Sequence, residues 1–77
     1  MNVKRKRFFS QTNSKDDERT WDDLIDETLN KVNKELSNHT IINIQEDFQY
    51  LNLRPKPDDR STWYTRRIYM VAVFYYE

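Results

Sequence analysis

The clearest hydrophobic pattern in the chain lies at residues 20–37, where apolar side chains recur every three or four positions. These side chains are Trp21, Leu24, Ile25, Leu29, Val32 and Leu36. The spacing places them along one side of an α-helix, as a stripe that faces a core. Thr20 and Asp23 have the spacing of a capping box at the start of this helix, and Asn38 is a signal for its end.

Residues 40–50 alternate between apolar and polar side chains, which is typical of a half-buried β-strand, and we predict a strand over residues 40–53. One face carries Ile42, Ile44, Phe48 and Tyr50, and the other carries Asn43, Gln45, Asp47 and Gln49. Glu46 interrupts the apolar face, and Leu51 and Leu53 shift the phase of the alternation. Both irregularities are explained by a β-bulge near Glu46–Asp47.

Residues 63–76 are apolar on both faces, which indicates a strand that is buried on both sides. Residues 2–9 are basic and end in two phenylalanines, and they predict a first strand. Residues 10–19 form a polar connection, and residues 54–62 hold both prolines and predict a loop. The order predicts an α+β fold, a single βαββ domain over residues 1–77 with a three-stranded, largely antiparallel sheet. We place the most apolar strand in the middle and the helix on one face.

A single helix covers one face of such a sheet, so the second apolar face of the last strand needs another partner. In a chain of 77 residues the simplest partner is a second copy. The sequence therefore predicts a homo-oligomer.

Composition excludes several classes of protein. The chain has no glycine, which argues against loops that cradle the phosphates of a P-loop or dinucleotide site, and no cysteine, which excludes disulfides and thiolate metal sites. The absence of cysteine fits a cytoplasmic location. The longest apolar run, Ile68–Tyr76, is too short to span a membrane as a helix. A net charge of zero makes nucleic acid an unfavoured partner.

Basic residues are nevertheless concentrated at two places, the KRKR run at residues 4–7 and the pair Arg66 and Arg67. If the first and last strands pair antiparallel, we expect Arg5 and Arg7 to lie near that pair. Guanidinium groups beside aromatic rings would suit the phosphate and base of a nucleotide. The predicted ligand-binding residues are Arg5, Arg7, Trp63, Tyr64, Arg66, Arg67 and Tyr69.

Simpler interpretations stay open for each of these residues. The basic run would also protect a sheet edge from aggregation. Trp63 and Tyr69 would also serve as packing residues in a core or dimer interface. Glu46 would neutralise Arg66 or Arg67 across neighbouring strands.

No set of residues suggests catalysis, a metal site or a cofactor. The single histidine, His39, lies beside the predicted helix end, where a role at the helix dipole or surface is favoured. The acidic pairs 16–17, 22–23 and 58–59 are best explained by capping or solvation. The sequence therefore predicts a protein that is not an enzyme.

The segments LIDETLNKVNKEL, TIINIQ and YMVAVFYYE together resemble the small sporulation-protein (Cse-type) family of Bacillus and related phage proteins. The likeness covers most of residues 20–77, and the connection at 10–19 and the RPKPDDR loop depart from it. It implies a compact βαββ unit and a Firmicute or phage origin, and it implies no activity or site residues.

Three functions agree with these features. The first is a homo-oligomer that sequesters an anionic nucleotide between its chains, which a phage would use to remove an immune signal of its host. The second is an inhibitor or adaptor that binds a host protein through the aromatic strand or a sheet edge. The third is weak binding of single-stranded nucleic acid through the first strand.

Overall fold

The computed structural model describes residues 2–14, 16–53 and 64–77, and it has the predicted order of one helix and three strands. The elements are β1 (Val3–Gln11), α1 (Trp21–Leu36), β2 (Ile41–Leu53) and β3 (Tyr64–Tyr76). The predicted loop at 54–62 and residue Trp63 lie outside the described residues. The chain is therefore an α+β protein of the predicted βαββ class.

The sheet has the order β1-β3-β2, and β3 is antiparallel to both of its neighbours. The prediction that the most apolar strand lies in the middle is confirmed. β1 runs two residues further than predicted, because Phe8 and Ser10 both turn their side chains into the core.

Helix α1 begins as the capping box requires. The backbone N–H of Asp23 donates to Thr20 Oγ1 over 3.2 Å, and the backbone N–H of Thr20 donates to Asp23 Oδ2 over 2.8 Å. The helix ends at Leu36 with Ser37 as its C-cap, so it stops slightly earlier than predicted. His39 then donates its backbone N–H to the carbonyl oxygen of Leu36, and its ring Nδ1 lies 3.0 Å from the carbonyl oxygen of Tyr76.

The core lies between α1 and one face of the sheet, which we call the helix side. From the helix come Leu24, Val32 and Leu36, and from the sheet come Phe8, Tyr69, Val71 and Val73. Thr28 is also fully buried, and its hydroxyl donates to the carbonyl oxygen of Leu24, which lets a polar residue sit in the apolar stripe. The hydrophobic contacts of this layer give the small domain its core.

The opposite face of the sheet, the open face, carries the other half of β3. Ile68 is buried there, whereas Met70, Ala72 and Phe74 are half-buried between the side chains of neighbouring strands. β3 therefore has one face on which Tyr69, Val71 and Val73 are fully buried and a second face that is only partly covered within the chain.

The bulge in β2 is not where the sequence suggested. Glu46 and Asp47 pair regularly with Val71 and Met70, and the register instead shifts between Ile41 and Asn43. Glu46 is tolerated on the helix side because the Tyr69 hydroxyl donates to it. Leu51 and Leu53 belong to the open face by ordinary alternation, so no shift of phase is needed to explain them.

Candidate binding surfaces

The predicted arginine cluster does not form within one chain. Antiparallel pairing sets the start of β1 against the end of β3, so Arg5 lies opposite Phe74 and Arg7 lies opposite Ala72. Arg66 lies six positions before Ala72 on β3, which is about 20 Å along a strand. The expectation that Arg5 and Arg7 lie near Arg66 and Arg67 is therefore wrong, since the pairing direction places them at opposite ends of β3.

Arg66 and Arg67 point to opposite faces of the sheet, as predicted. Arg66 is half-buried on the open face, opposite Leu51. Arg67 joins β3 to the segment after β1: its backbone N–H donates to Thr12 Oγ1 over 2.9 Å, and its Nη1 donates to the carbonyl oxygen of Arg19 over 3.4 Å. The contacts of Arg67 are thus structural.

Tyr69 belongs to the core and not to an accessible site. It is 1% exposed, and its hydroxyl donates to Glu46 Oε2 over 2.6 Å. Burial, followed by the hydrogen bond to this carboxylate, raises the pKa of Tyr69 above its usual range. Glu46 therefore accepts a hydrogen bond from Tyr69. It was predicted instead as a counter-charge for Arg66 or Arg67. Trp63 lies outside the described residues, and Tyr64 is placed only as the first residue of β3, paired with Leu53.

The open face retains two of the predicted ligand-binding residues in accessible positions. Arg5 and Arg7 are exposed there, and neither forms an ion pair with any residue that the structure describes. Arg7 borders a shallow depression of about 370 Å³, whose lining includes Gln45, Asp47, Met70 and Ala72. The small side chain of Ala72 leaves this gap between β1 and β2.

Exposed apolar side chains form an accessible surface that the sequence did not predict as a site. Six large apolar side chains that the structure describes as exposed belong to β2, and two others, Val3 and Phe9, belong to β1. The six are Ile41, Ile42, Ile44, Phe48, Tyr50 and Leu51. The alternation of β2 predicted a half-buried strand, but every residue from Ile41 to Asn52 is exposed.

β2 is exposed because of the position of helix α1. α1 lies over β1 and β3, and it reaches β2 at its first turn, through Trp21. The Trp21 ring meets Phe48 and Tyr50 edge-on at 5.3 and 5.2 Å, and its Nε1 donates to the Tyr50 hydroxyl over 3.0 Å. The apolar helix-side residues of β2 therefore form a largely exposed ledge that α1 touches through Trp21. This β2 ledge is made of Ile41, Ile44, Phe48 and Tyr50.

A second network that the sequence did not reveal fixes the connection between β1 and α1. Arg19 Nη2 donates to Asp17 Oδ2 over 2.6 Å and to the carbonyl oxygen of Gln11 over 2.7 Å, and its Nη1 donates to Glu27 Oε2 over 2.7 Å. The side-chain hydrogen bonds from Arg19 hold the pKa of Asp17 well below its usual range. The guanidinium is thus engaged by three groups, and its role is to hold the connection in place.

Within the part of the chain that the structure describes, no group of three or more His, Asp or Glu side chains comes together to hold a metal ion. Asp23 caps the helix, as the capping interpretation of the acidic pairs suggests, whereas Asp17 forms an ion pair with Arg19 that this interpretation did not include. The pair at 58–59 lies outside the described residues. Within the described ranges, no helix is both long and apolar enough to cross a membrane.

Comparison with protein-family models, with curated proteins and with solved structures gave no match to this chain. The resemblance to the small sporulation-protein family, and the phage origin that it implies, therefore stay predictions.

Proposed function

We propose that the protein is a non-catalytic binding protein that pairs a strand of another polypeptide with the edge of β2 that no described strand occupies. The observation that carries this proposal is the 13-residue strand β2, which lies at the edge of the sheet and is exposed over almost its whole length. An unpaired edge offers a row of backbone donors and acceptors to an incoming strand. This corresponds to the adaptor or inhibitor function among the three that the sequence suggested.

The contrast between the two edges of the sheet supports this proposal. Proteins protect a sheet edge with charged side chains, proline or a very short strand. β1 carries Lys4, Arg5, Lys6 and Arg7 in succession, whereas β2 contains no lysine, arginine or proline from Ile41 to Leu53. One edge thus carries a run of four positive charges, whereas the other carries two adjacent carboxylates, Glu46 and Asp47, and is otherwise uncharged over its thirteen residues.

The β2 ledge supplies an apolar surface beside this edge. Phe48 is 50% exposed and Ile44 is 37% exposed, although both lie on the helix side of the sheet. An incoming strand would place its own side chains against them, and burial of apolar area contributes about 25 cal/mol per Å². Backbone hydrogen bonds and apolar burial would then act together at the same edge.

A photo-crosslinking experiment tests this function. A photoreactive phenylalanine analogue is placed at Phe48 and, as a matched control, at Phe9, which is similarly exposed at 53% but lies on β1. The full chain is irradiated in cells that express it, and the crosslinked polypeptides are identified by peptide sequencing. We expect the Phe48 position to crosslink to a polypeptide and the Phe9 position not to do so. Equal crosslinking at both positions, or none at either, would contradict the proposed function.

A second candidate function is capture of an anionic, nucleotide-type ligand on the open face, the first of the functions that the sequence suggested. The supporting observation is the position of Arg7 at the depression over Ala72, with Gln45 and Asp47 on its other side. The guanidinium would bind a phosphate, and the amide and carboxylate would accept N–H groups of a base. The depression is open in one chain, so a second chain would be needed to enclose the ligand.

Thermal unfolding with added nucleoside monophosphates and cyclic nucleotides tests this second function. A ligand that binds the folded state raises the unfolding temperature as its concentration increases. We expect Arg7→Ala to abolish this rise and Lys34→Ala, a change at the exposed end of α1, to preserve it. If no nucleotide raises the unfolding temperature of the unmodified protein, nucleotide binding is excluded.

A further inference from the structure

We infer that the polypeptide bound at β2 is a second copy of this chain, with the two β2 strands antiparallel and Phe48 of one copy opposite Phe48 of the other. This inference rests on the proposed function and names its partner. A two-fold axis normal to the sheet would relate the copies and make the contact self-complementary.

The pleat of the sheet restricts the possible registers. Residues opposite each other across a strand pair must turn their side chains to the same face. The two-fold axis must therefore lie midway between one residue and the same residue of the second copy. The central candidates are residues 45, 46, 47, 48 and 49. A centre at Glu46 or at Asp47 sets two carboxylates directly opposite each other, which destabilises the pair.

The remaining three registers differ in how many residues of the two β2 strands they pair. A centre at Phe48 pairs residues 43–53 of the two copies, whereas a centre at Gln45 or Gln49 pairs only residues 41–49 or 45–53. The Gln45 register also includes the irregular pairing between Ile41 and Asn43, which disturbs the ladder of hydrogen bonds. The Phe48 register is therefore the longest that avoids both opposed carboxylates and the bulge.

The Phe48 register also gives both carboxylates a hydrogen-bond donor. Asp47 would lie opposite Gln49 of the second copy, and these two side chains already bind each other within one chain, over 2.7 Å. Glu46 would lie opposite Tyr50 of the second copy. Its Oε2 accepts from Tyr69, so its other oxygen remains for the Tyr50 hydroxyl. The two Phe48 rings would pack across the axis, where an aromatic pair adds to the apolar burial.

The helices leave room for this arrangement, and the charges of β1 limit it to two chains. Both copies of α1 would lie on the same side of a continuous six-stranded sheet, each over its own β1 and β3. The outer edges of that sheet would be the two β1 strands, with Lys4 to Arg7 along each edge. Such edges resist further strand addition, so the assembly would close as a dimer.

Single cysteine variants test the register cleanly, because the chain contains no cysteine of its own. The variants are Gln45→Cys, Asp47→Cys, Phe48→Cys and Gln49→Cys, each oxidised mildly in the full chain and analysed by mass. A disulfide requires Cα atoms within about 7 Å, so a residue must lie opposite the new cysteine of the other copy. We expect a disulfide-linked dimer from Phe48→Cys alone, and from an equimolar mixture of Asp47→Cys and Gln49→Cys.

The mixture keeps Phe48 in both chains, so it tests the register even if Phe48→Cys weakens association. Dimers from Gln45→Cys, Asp47→Cys or Gln49→Cys alone would overturn the Phe48 register. No disulfide in any sample, with the unmodified protein at the 9.6 kDa mass of one chain, would overturn self-pairing. If Phe48 then crosslinks to a different protein, the proposed function stands and the inference of a second copy fails. If it crosslinks to nothing, both fail.

Discussion

At the scale of single residues, the buried Tyr69 and the exposed Glu46 form a hydrogen bond between two strands of the sheet. Tyr69 packs in the core, and its hydroxyl reaches a carboxylate on the neighbouring strand over 2.6 Å. A buried hydroxyl and a carboxylate on an apolar face are each costly unless they are paired. The pair therefore explains how Glu46 fits into an otherwise apolar face.

We expect Tyr69→Phe to lower the free energy of unfolding at neutral pH by roughly 1–2 kcal/mol, because Glu46 loses its donor. The same variant should respond less to alkaline pH. The pKa of Tyr69 is raised in the folded state, so its contribution to stability is complete below its unfolded pKa of about 10 and is lost as pH rises above that value. Urea unfolding at intervals from neutral to alkaline pH measures both effects. A parallel decline in the two proteins would show that the folded and unfolded pKa values are equal.

The sequence predicted the face of the sheet that candidate residues occupy better than it predicted which residues lie beside them. The alternation of β3 correctly placed Arg66 and Arg67 on opposite faces. It did not show that Arg5 and Arg7 lie at the other end of β3, because that depends on the direction and register of pairing between distant strands. Nor did it show that Tyr69 is enclosed by α1, since burial is set by which strands the helix covers.

At the scale of elements, α1 was the most predictable part of the chain, because its signals are local. The capping box at Thr20 and the apolar stripe both depend on residues within a few positions of each other. The polar residue Thr28 in the buried stripe was missed, since its hydroxyl is satisfied by the helix backbone and leaves no periodic signal. The bulge of β2 was misplaced because it depends on how the strand joins its neighbour beyond the helix end.

We expect Thr20→Ala to lower the free energy of unfolding by about 1 kcal/mol, since the side chain that accepts the Asp23 N–H is lost. Thr40→Ala is a matched control, because Thr40 is an exposed threonine outside the helix. Thermal or urea unfolding of both variants measures the difference. Equal stability of the two variants would mean that the capping box contributes nothing measurable.

At the scale of the whole molecule, the sheet has two unlike edges and two incompletely covered surfaces, the open face and the β2 ledge. The sequence predicted that a surplus apolar surface would require a second chain, and it assigned that surplus to the open face of β3. Of the eight large apolar side chains that the structure describes as exposed, six lie on β2 instead. The difference arises because α1 crosses β1 and β3. The apolar stripe of the helix does not by itself specify which strands the helix covers.

If association through β2 accompanies folding, the unfolding temperature must depend on protein concentration. Mass action stabilises an assembly as concentration rises, so we expect the midpoint of thermal unfolding to increase by a few degrees for each tenfold increase. Phe48→Lys places a charge on the β2 ledge and should remove this dependence. Phe9→Lys makes the same change on a similarly exposed side chain of β1 and should leave it intact.

The comparison of slopes is more informative than the midpoints themselves. A lysine placed on the sheet lowers the stability of the single chain by the same amount at every protein concentration. A lost contact between chains instead changes how the midpoint depends on concentration. Differential scanning calorimetry over a hundredfold range of concentration measures this slope. A slope that persists in Phe48→Lys and disappears in Phe9→Lys would move the contact from β2 to β1. A midpoint independent of concentration in the unmodified protein would mean that the chain folds as a monomer, with the β2 edge left for a different polypeptide.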